Sequence, residues 1–564
     1  MNDLEISDYN IEADNFKDSK KINTRKLLII SFFMSVIGLV IIMRVLDLSV
    51  LYSDKKTIHE KETLSNTKYD RGLLLDRNNK ILASNIFIYN LKAYPRKIKN
   101  VENTIRQLKQ EIEIAEEESR EKINNKNKFE VVLVKNITAP VAKKINNLGI
   151  PGIEFIPVIK RFYPQGNLAS HYLGHVNETL GGVSGAERTF NDLLIKGEDV
   201  KLGIDIRVQY VVRDELYNAY KKFRAKSATA IIADINTGEI ISKVSIPDYN
   251  PNQSIDPKKD SYRNTATLNL YEMGSTFKIF SIAAALEGSE INIDTKFDAR
   301  KPIKIAKHII KDYHPQNKIL TTKEIFLKSS NIGSSLIALK LGNSNLKNFY
   351  DELGLLSISK INIQEKAKPM IPDKWGEVET ATLSFGHGLS ISPIQMVEAA
   401  AMLFNENKLF SATIKKRPLD YNYQKINLIS NETKEIIKNL MFENTITGTA
   451  TKAKINGYEI GGKTATGEKV NIYGKYDKTK LVSSFLSVFP IKKPKYISLI
   501  LFDEPKLEKK YKGNSIGATG GVTAAPTTAR ILKRVMPLLG IVKQLNNKED
   551  IIVKNKDKLN FASY

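Results

Sequence analysis

Ser275 and Lys278 stand three residues apart in the stretch Tyr271-Glu272-Met273-Gly274-Ser275-Thr276-Phe277-Lys278. On a helix that spacing brings both side chains to one face. A neutral lysine there can take the serine's hydroxyl proton, so the pair has the form of an activated nucleophile of the Ser–Lys type. The spacing alone is weak, because roughly two S-x-x-K matches are expected by chance in a chain this long. Ser53/Lys56, Ser119/Lys122 and Ser357/Lys360 also fit it, all in charged or loop-like surroundings. Ser275 differs in its downstream neighbours: Ile279 to Leu286 runs on without a breaker until Gly288. That predicts a turn feeding a buried helix, with Ser275 in its first turn beside the free N–H groups and the positive helix end.

Two other polar groups lie downstream. Ser329-Ser330-Asn331 falls in a break between a short helix and a longer one over 332–341. The short helix is opened by Thr321-Thr322-Lys323-Glu324, a capping box in form. Taken alone, Ser329 and Ser330 can also be read as an ordinary N-cap pair. Lys463-Thr464-Ala465-Thr466 follows Gly461-Gly462, and Lys463-Thr464, taken alone, can also be read as a solvated strand start. His387 is read as structural, since Ser–Lys chemistry needs no imidazole. His308 and His314 have no metal-ligand spacing with a carboxylate, and cysteine is absent. The glycine-rich stretch Gly181 to Glu187 lacks the Gly-Lys-Ser/Thr of a P-loop and opens no Rossmann unit. No metal and no cofactor are expected.

The elements that must position these groups are legible at low resolution. Arg71 to Ala83 reads as strand, Asn-Asn turn and strand, Phe129 to Val134 as a strand, and Ala139 to Leu148 as a helix. The charged helical stretch 101–126 reads as a solvated face. Ala228 to Ala233, the turn Asn236-Thr237-Gly238 and Ile240 to Val244 form a hairpin. Leu481 to Val488 and Tyr496 to Phe502 are two more strands, and a last helix runs to Leu539. Strands on both sides of a largely helical middle predict a sheet covered by helices, an α+β fold. At the other end, Lys17, Lys20, Lys21, Arg25 and Lys26 precede an uncharged apolar run from Leu27 to Met43, which Val45 and Leu46 extend. No small-residue cleavage site comes after it, so the run is expected to be an uncleaved signal anchor, with the N-terminus inside and the chain after Arg44 outside. The 564 residues carry 86 Lys+Arg against 62 Asp+Glu, a net charge of +24. With no nucleic-acid motif, and with lysine spread along the whole chain, that excess is read as composition and no nucleic-acid partner is expected.

In this chain order the three polar groups resemble the S-x-x-K, S-x-N and K-T-G signature of penicillin-binding proteins and serine β-lactamases. The resemblance runs from the apolar segment to about residue 540. Arg71-Gly72 with Asp76-Arg77, Arg161-Phe162-Tyr163-Pro164, Gly185-Ala186-Glu187, Phe385-Gly386-His387-Gly388 and Gly448-Thr449-Ala450 are similar to landmarks of the class B penicillin-binding proteins, the bacterial cell-wall transpeptidases. The form of Tyr271 to Ser275 is most like the FtsI-type cell-division branch. The elongation-specific branch and a same-fold carboxypeptidase or β-lactamase are the alternatives. The pedestal and anchor speak against the hydrolases, and too little chain precedes the pedestal for the glycosyltransferase domain of class A members.

The resemblance implies a membrane-anchored chain with an N-terminal pedestal domain and a C-terminal serine transpeptidase domain. The latter has a central antiparallel sheet covered by helices, as in β-lactamases. The expected boundaries are a cytoplasmic tail 1–26, a transmembrane anchor 27–46, a stalk and pedestal (dimerisation) domain 47–220, a transpeptidase domain 221–540 and a polar tail 541–564. It implies that Ser275 attacks the carbonyl between two terminal D-alanines of a stem peptide, with Lys278 as general base. Ser329 passes the proton to the leaving amine, Asn331 orients Lys278, Lys463 is a second cation, and Thr464 and Thr466 bind the substrate carboxylate. The N–H groups of Ser275 and Thr466 form the oxyanion hole. The implied partners are nascent peptidoglycan stem peptides, β-lactam antibiotics, a membrane glycosyltransferase of the FtsW type and other division proteins, at the inner membrane with the catalytic domain in the periplasm. One position departs from the pattern: Ala465 stands where the family has glycine. The expectation is that the neighbouring backbone sits slightly further away and leaves room for the methyl.

Overall fold

The computed structural model of the chain describes residues 28–43, 71–406, 408–470, 475–507 and 517–544. The expected tail 1–26, the stalk 47–65 and all but the first four residues of the tail 541–564 lie outside the described residues. The chain divides into two units between Asp70 and Arg71. In the first, residues 28–43 form a helix whose large apolar side chains are exposed. Among the described residues no helix is long and apolar enough to cross a membrane. The span expected over 27–46 runs past both ends of that helix into residues that are not described.

The second unit begins with a five-stranded sheet: β1 (Leu74–Leu75), β2 (Ile81–Ala93), β3 (Val131–Thr138), β4 (Ile153–Phe162) and β5 (Val200–Lys201). The long β2 pairs antiparallel with β1, β3 and β4, and β1 pairs parallel with β5. The Asn-Asn turn between β1 and β2 is where it was expected. Asp76 Oδ1 accepts the N–H groups of Asn78 and Lys80 at 2.7 and 2.9 Å, and Asn79 takes φ +65°. Three sequence landmarks meet at this sheet. Glu187, fully buried, takes Arg71 Nε and Arg161 Nε at 2.7 Å each. Arg71 also donates to the Glu187 carbonyl at 2.8 Å.

Further along lies an all-antiparallel sheet of β6 (Ser227–Asp234), β7 (Ile240–Ile246), β8 (Gly461–Val470), β9 (Tyr476–Phe489) and β10 (Tyr496–Asp503), in the order β8-β9-β10-β6-β7. Ala228, Ala230 and Ile232 of β6 join Ile500 and Phe502 of β10 in one core. That core also takes the helices α1 (Ile206–Lys222), through Val208, Val212 and Leu216, and Ala524–Leu538, through Ile531, Leu532 and Val535. Ile231, Ala233, Ile497, Leu499 and Leu501 point the other way, into the larger core. The strands are apolar on both faces because helices cover both.

That larger core is filled by α2 (Lys278–Glu287), α3 (Thr322–Lys328), α4 (Asn331–Leu341), α5 (Pro393–Phe404) and α6 (Asn431–Ile446). In α2 every residue from Lys278 to Leu286 is buried, which accounts for its unbroken apolar run. The α+β arrangement of a sheet covered by helices is as the sequence predicts, and the antiparallel order of its strands is as the resemblance implies.

Candidate active site

Ser275 sits one step earlier than expected. Gly274–Phe277 form a 3-10 turn and α2 begins only at Lys278. Gly274 opens the turn at φ +56°, and Gly386, at φ +80°, backs it. A Cβ on Gly386 would come within 2.4 Å of the Gly274 carbonyl, so the Phe385–Gly388 loop needs glycine to lie against the nucleophile turn. The tight turn still delivers the geometry the spacing predicts: Lys278 Nζ is 2.8 Å from Ser275 Oγ.

The break between α3 and α4 brings the second group in. Ser329 closes α3 in the left-handed region, φ +60°, which turns its side chain toward the two lysines. Lys278 Nζ is 2.7 Å from Asn331 Oδ1 and 3.5 Å from Ser329 Oγ, and Lys463 Nζ donates to Ser329 Oγ at 2.9 Å. The N-cap reading holds for Ser330, whose hydroxyl accepts from Gly333 N at 2.9 Å, and not for Ser329. Lys463 is not solvated at a strand start: it is fully buried in β8.

Burial drives both amines down. Desolvation first, and the charge of Lys463 second, push Lys278 well below an ordinary lysine, with Asp312 pulling the other way. Lys463 is pushed down to about 7 by burial. His387, with its ring 5.1 Å from that of Phe385, is pushed down to about 4 by burial and then by Lys278. A neutral imidazole packed among rings fits its structural reading.

β8 is an edge strand, and its free edge faces the nucleophile turn. The Gly462 carbonyl on that edge accepts from Asn444 Nδ2 at 2.8 Å, and the Thr464 carbonyl lies 3.4 Å from Lys463 Nζ. The Thr466 carbonyl lies 3.1 Å from where a Cβ on Gly274 would stand. In an antiparallel strand a residue's N–H and C=O leave on the same side, so the Thr466 N–H also faces the turn. The Ala465 methyl is buried, 3.6 Å from the same Gly274 position, an ordinary van der Waals contact. Thr464 and Thr466 point to the other face of the strand. Thr464 Oγ1 meets Thr449 Oγ1 at 2.7 Å, and Thr466 Oγ1 accepts from Gly520 N at 3.1 Å. Of the seven residues singled out in the sequence, Ser275, Lys278, Ser329, Asn331 and Lys463 thus gather around one hydroxyl cluster, while the side chains of Thr464 and Thr466 lie on the opposite face of the adjoining strand.

Asp312 is the residue that sequence reasoning missed. Its Oδ1 accepts the N–H groups of Asn331 and Ile332 at 2.5 and 3.0 Å, and its Oδ2 accepts from Ser330 Oγ at 2.8 Å. It caps α4 from outside the helix. A cap supplied from eighteen residues upstream has no local pattern to betray it. Among the described residues no cluster of three or more His, Asp or Glu side chains is gathered as for a metal ion.

Residues 228–533 match the penicillin-binding protein transpeptidase domain, and residues 66–201 match the penicillin-binding protein dimerisation domain. The chain belongs to the penicillin-binding protein transpeptidase family. Its relatives place it in class B. A probable peptidoglycan D,D-transpeptidase FtsI of Caulobacter vibrioides is 35% identical over 84% of this chain and 82% of its own length. FtsI of Buchnera aphidicola is 31% identical over 92% and 96%, and FtsI of Escherichia coli K12 is 26% identical over 88% and 87%. A solved structure from Atopobium parvulum, titled a putative peptidoglycan glycosyltransferase, matches with a TM-score of 0.65 over 84% of this chain and 98% of that one. At 20% identity that likeness is one of fold.

Proposed function

We propose that this penicillin-binding protein is a peptidoglycan D,D-transpeptidase of the septal, FtsI type that works through a Ser275 acyl-enzyme. The observation that carries the reading is Lys278 Nζ, 2.8 Å from Ser275 Oγ, fully buried beside a second buried cation. Burial and repulsion favour the neutral amine a general base needs. Ser275 Oγ attacks the carbonyl between the two terminal D-alanines as Lys278 takes its proton. Ser329, within reach of both lysines, hands a proton to the leaving amine, and D-alanine departs. The amine of a neighbouring stem then attacks the ester carbonyl, the new amide forms, and the proton returns to Ser275. Asn331 holds Lys278 in line. Lys463, Thr464 and Thr466 line the strand that receives the substrate carboxylate, and the N–H groups of Ser275 and Thr466 hold the oxyanion. A β-lactam enters by the same attack and stays as a stable ester.

The FtsI names of the relatives favour septal over elongation synthesis. Stem peptides and β-lactams are the small partners. A glycosyltransferase of the FtsW type and other division proteins are the proposed macromolecular ones. The basic cluster before Leu27 and the uncharged run after it support a single inner-membrane span with the catalytic domain in the periplasm. Incubation with a pentapeptide donor and an amine acceptor tests the activity. Release of D-alanine with formation of the cross-linked amide is expected. Release of D-alanine with water as the sole acceptor would show a carboxypeptidase instead.

A further inference from the structure

The geometry points to Glu272 and Tyr476 as positioning residues that set the gap between the nucleophile turn and the edge strand β8. The inference rests on the proposed reading of Ser275 as nucleophile, with its own N–H and that of Thr466 as oxyanion donors. One donor sits on the turn and the other on the strand, so the separation of these two backbones is the width of the oxyanion site.

The two backbones approach closely at Thr466 and at the next residue, Gly467. A Cβ on Gly467 would lie 2.7 Å from the Glu272 carbonyl, and a Cβ on Gly274 would lie 3.1 Å from the Thr466 carbonyl. Contact stops them from closing further but does not stop them from parting. The Glu272 carboxylate supplies the tie. Its Oε1 accepts from Tyr476 OH at 3.1 Å and from Gly388 N at 2.9 Å. Tyr476 stands opposite Val470 at the outer end of the β8–β9 hairpin, so the first bond holds that hairpin to the turn. The second holds the loop that carries Gly386, which packs behind Gly274. The His387 ring meets the Tyr476 ring at 5.4 Å and 67°, which fixes the phenol's direction. Lys469, one residue before Val470, is held by Asp503 and Glu504 at 3.0 and 2.8 Å, and Asp503 also accepts from Tyr271 OH at 3.4 Å.

An oxyanion donor must lie 2.7–3.1 Å from where the charge develops, whereas a ground-state carbonyl tolerates a looser fit. A slack clamp therefore slows the chemical step and spares the encounter. The test is saturation kinetics of penicillin acylation, which separates the non-covalent Kd from the first-order acylation constant. Tyr476→Phe is expected to lower the acylation constant about tenfold, short of the about 10²–10³ lost with a whole donor. Its Kd should stay within about twofold and its melting temperature close to that of the parent. Glu272→Ala should lose at least as much. Glu272→Gln, whose amide oxygen can still accept both bonds, should recover most of the loss. A parental acylation constant in both Tyr476→Phe and Glu272→Ala overturns the clamp, as does a loss that falls on Kd instead. A parent protein that penicillin does not acylate at Ser275 overturns the proposed function, and with it this inference.

Discussion

Ser329 Oγ lies between two buried lysines, and the site depends on which of them carries a proton. Below about pH 7 Lys463 is charged, and its repulsion helps to hold Lys278 neutral. Lys278 must be neutral to act, so acylation is lost as pH falls through its depressed pKa. Lys463→Met removes the repulsion and lets that pKa rise. The acidic limb of the acylation rate profile should then move to higher pH, and a limb that stays put or moves down would show that the two amines are not coupled. Asp312 supplies the second residue-scale test. Asp312→Ala strips the cap from Asn331 and Ile332 and leaves Ser330 without its acceptor. A loss of about 1–3 kcal/mol in chemical denaturation is expected, with slower acylation because Asn331 no longer holds Lys278 firmly. Ser275 and Lys278 were legible as a pair because three-residue side-chain spacing survives folding, and Asn331 was legible only through the family resemblance. Asp312 was not, because its partners are fixed only by how the 311–314 segment lies across the start of α4.

At the scale of elements, the reading by period served the strands and helices of the core and missed the shape of the nucleophile turn. The apolar run after Ser275 correctly announced a buried helix. That the helix starts at Lys278, after a 3-10 turn, is due to Gly274 at φ +56° and the Gly386 loop pressed behind it. Gly386→Ala places a methyl where 2.4 Å is free and a left-handed φ is required. It should lower the melting temperature and slow acylation together, since the loop cannot retreat without moving Gly274. Ala465 is the converse case. Its methyl already fits at van der Waals distance from the turn, so Ala465→Gly should change the acylation rate by less than about tenfold, or ~1.4 kcal/mol. Ala465→Val adds two methyls on that side and should be far slower. A valine variant as fast as the parent would mean that the Ala465 side chain does not limit the gap. The 3-10 turn left no trace in the pattern of apolar residues, because a stretch of four residues is too short for its period to register.

Across the whole molecule, the landmarks read separately in the sequence prove to be parts of single structures. Arg71, Arg161 and Glu187, scattered over more than a hundred residues, form one buried ion triad. Nothing in their spacing foretold that. Glu187→Ala leaves two guanidinium groups buried without a counter-charge and should cost about 3–5 kcal/mol. Urea unfolding measures it, and a variant as stable as the parent would show the triad to be dispensable. The proposed membrane topology is a claim at the same scale: a reporter fused after Tyr564 should be active only outside the cytoplasm, and activity inside would refute it. The central claim is that Ser275 is the nucleophile of a penicillin-reactive acyl transferase. Its most direct test is to label the protein with a fluorescent penicillin and map the modified peptide by mass spectrometry. The penicilloyl group should lie on Ser275, and Ser275→Ala should remain folded and unlabelled. A label on any other serine, or covalent labelling that persists in Ser275→Ala, would contradict the account.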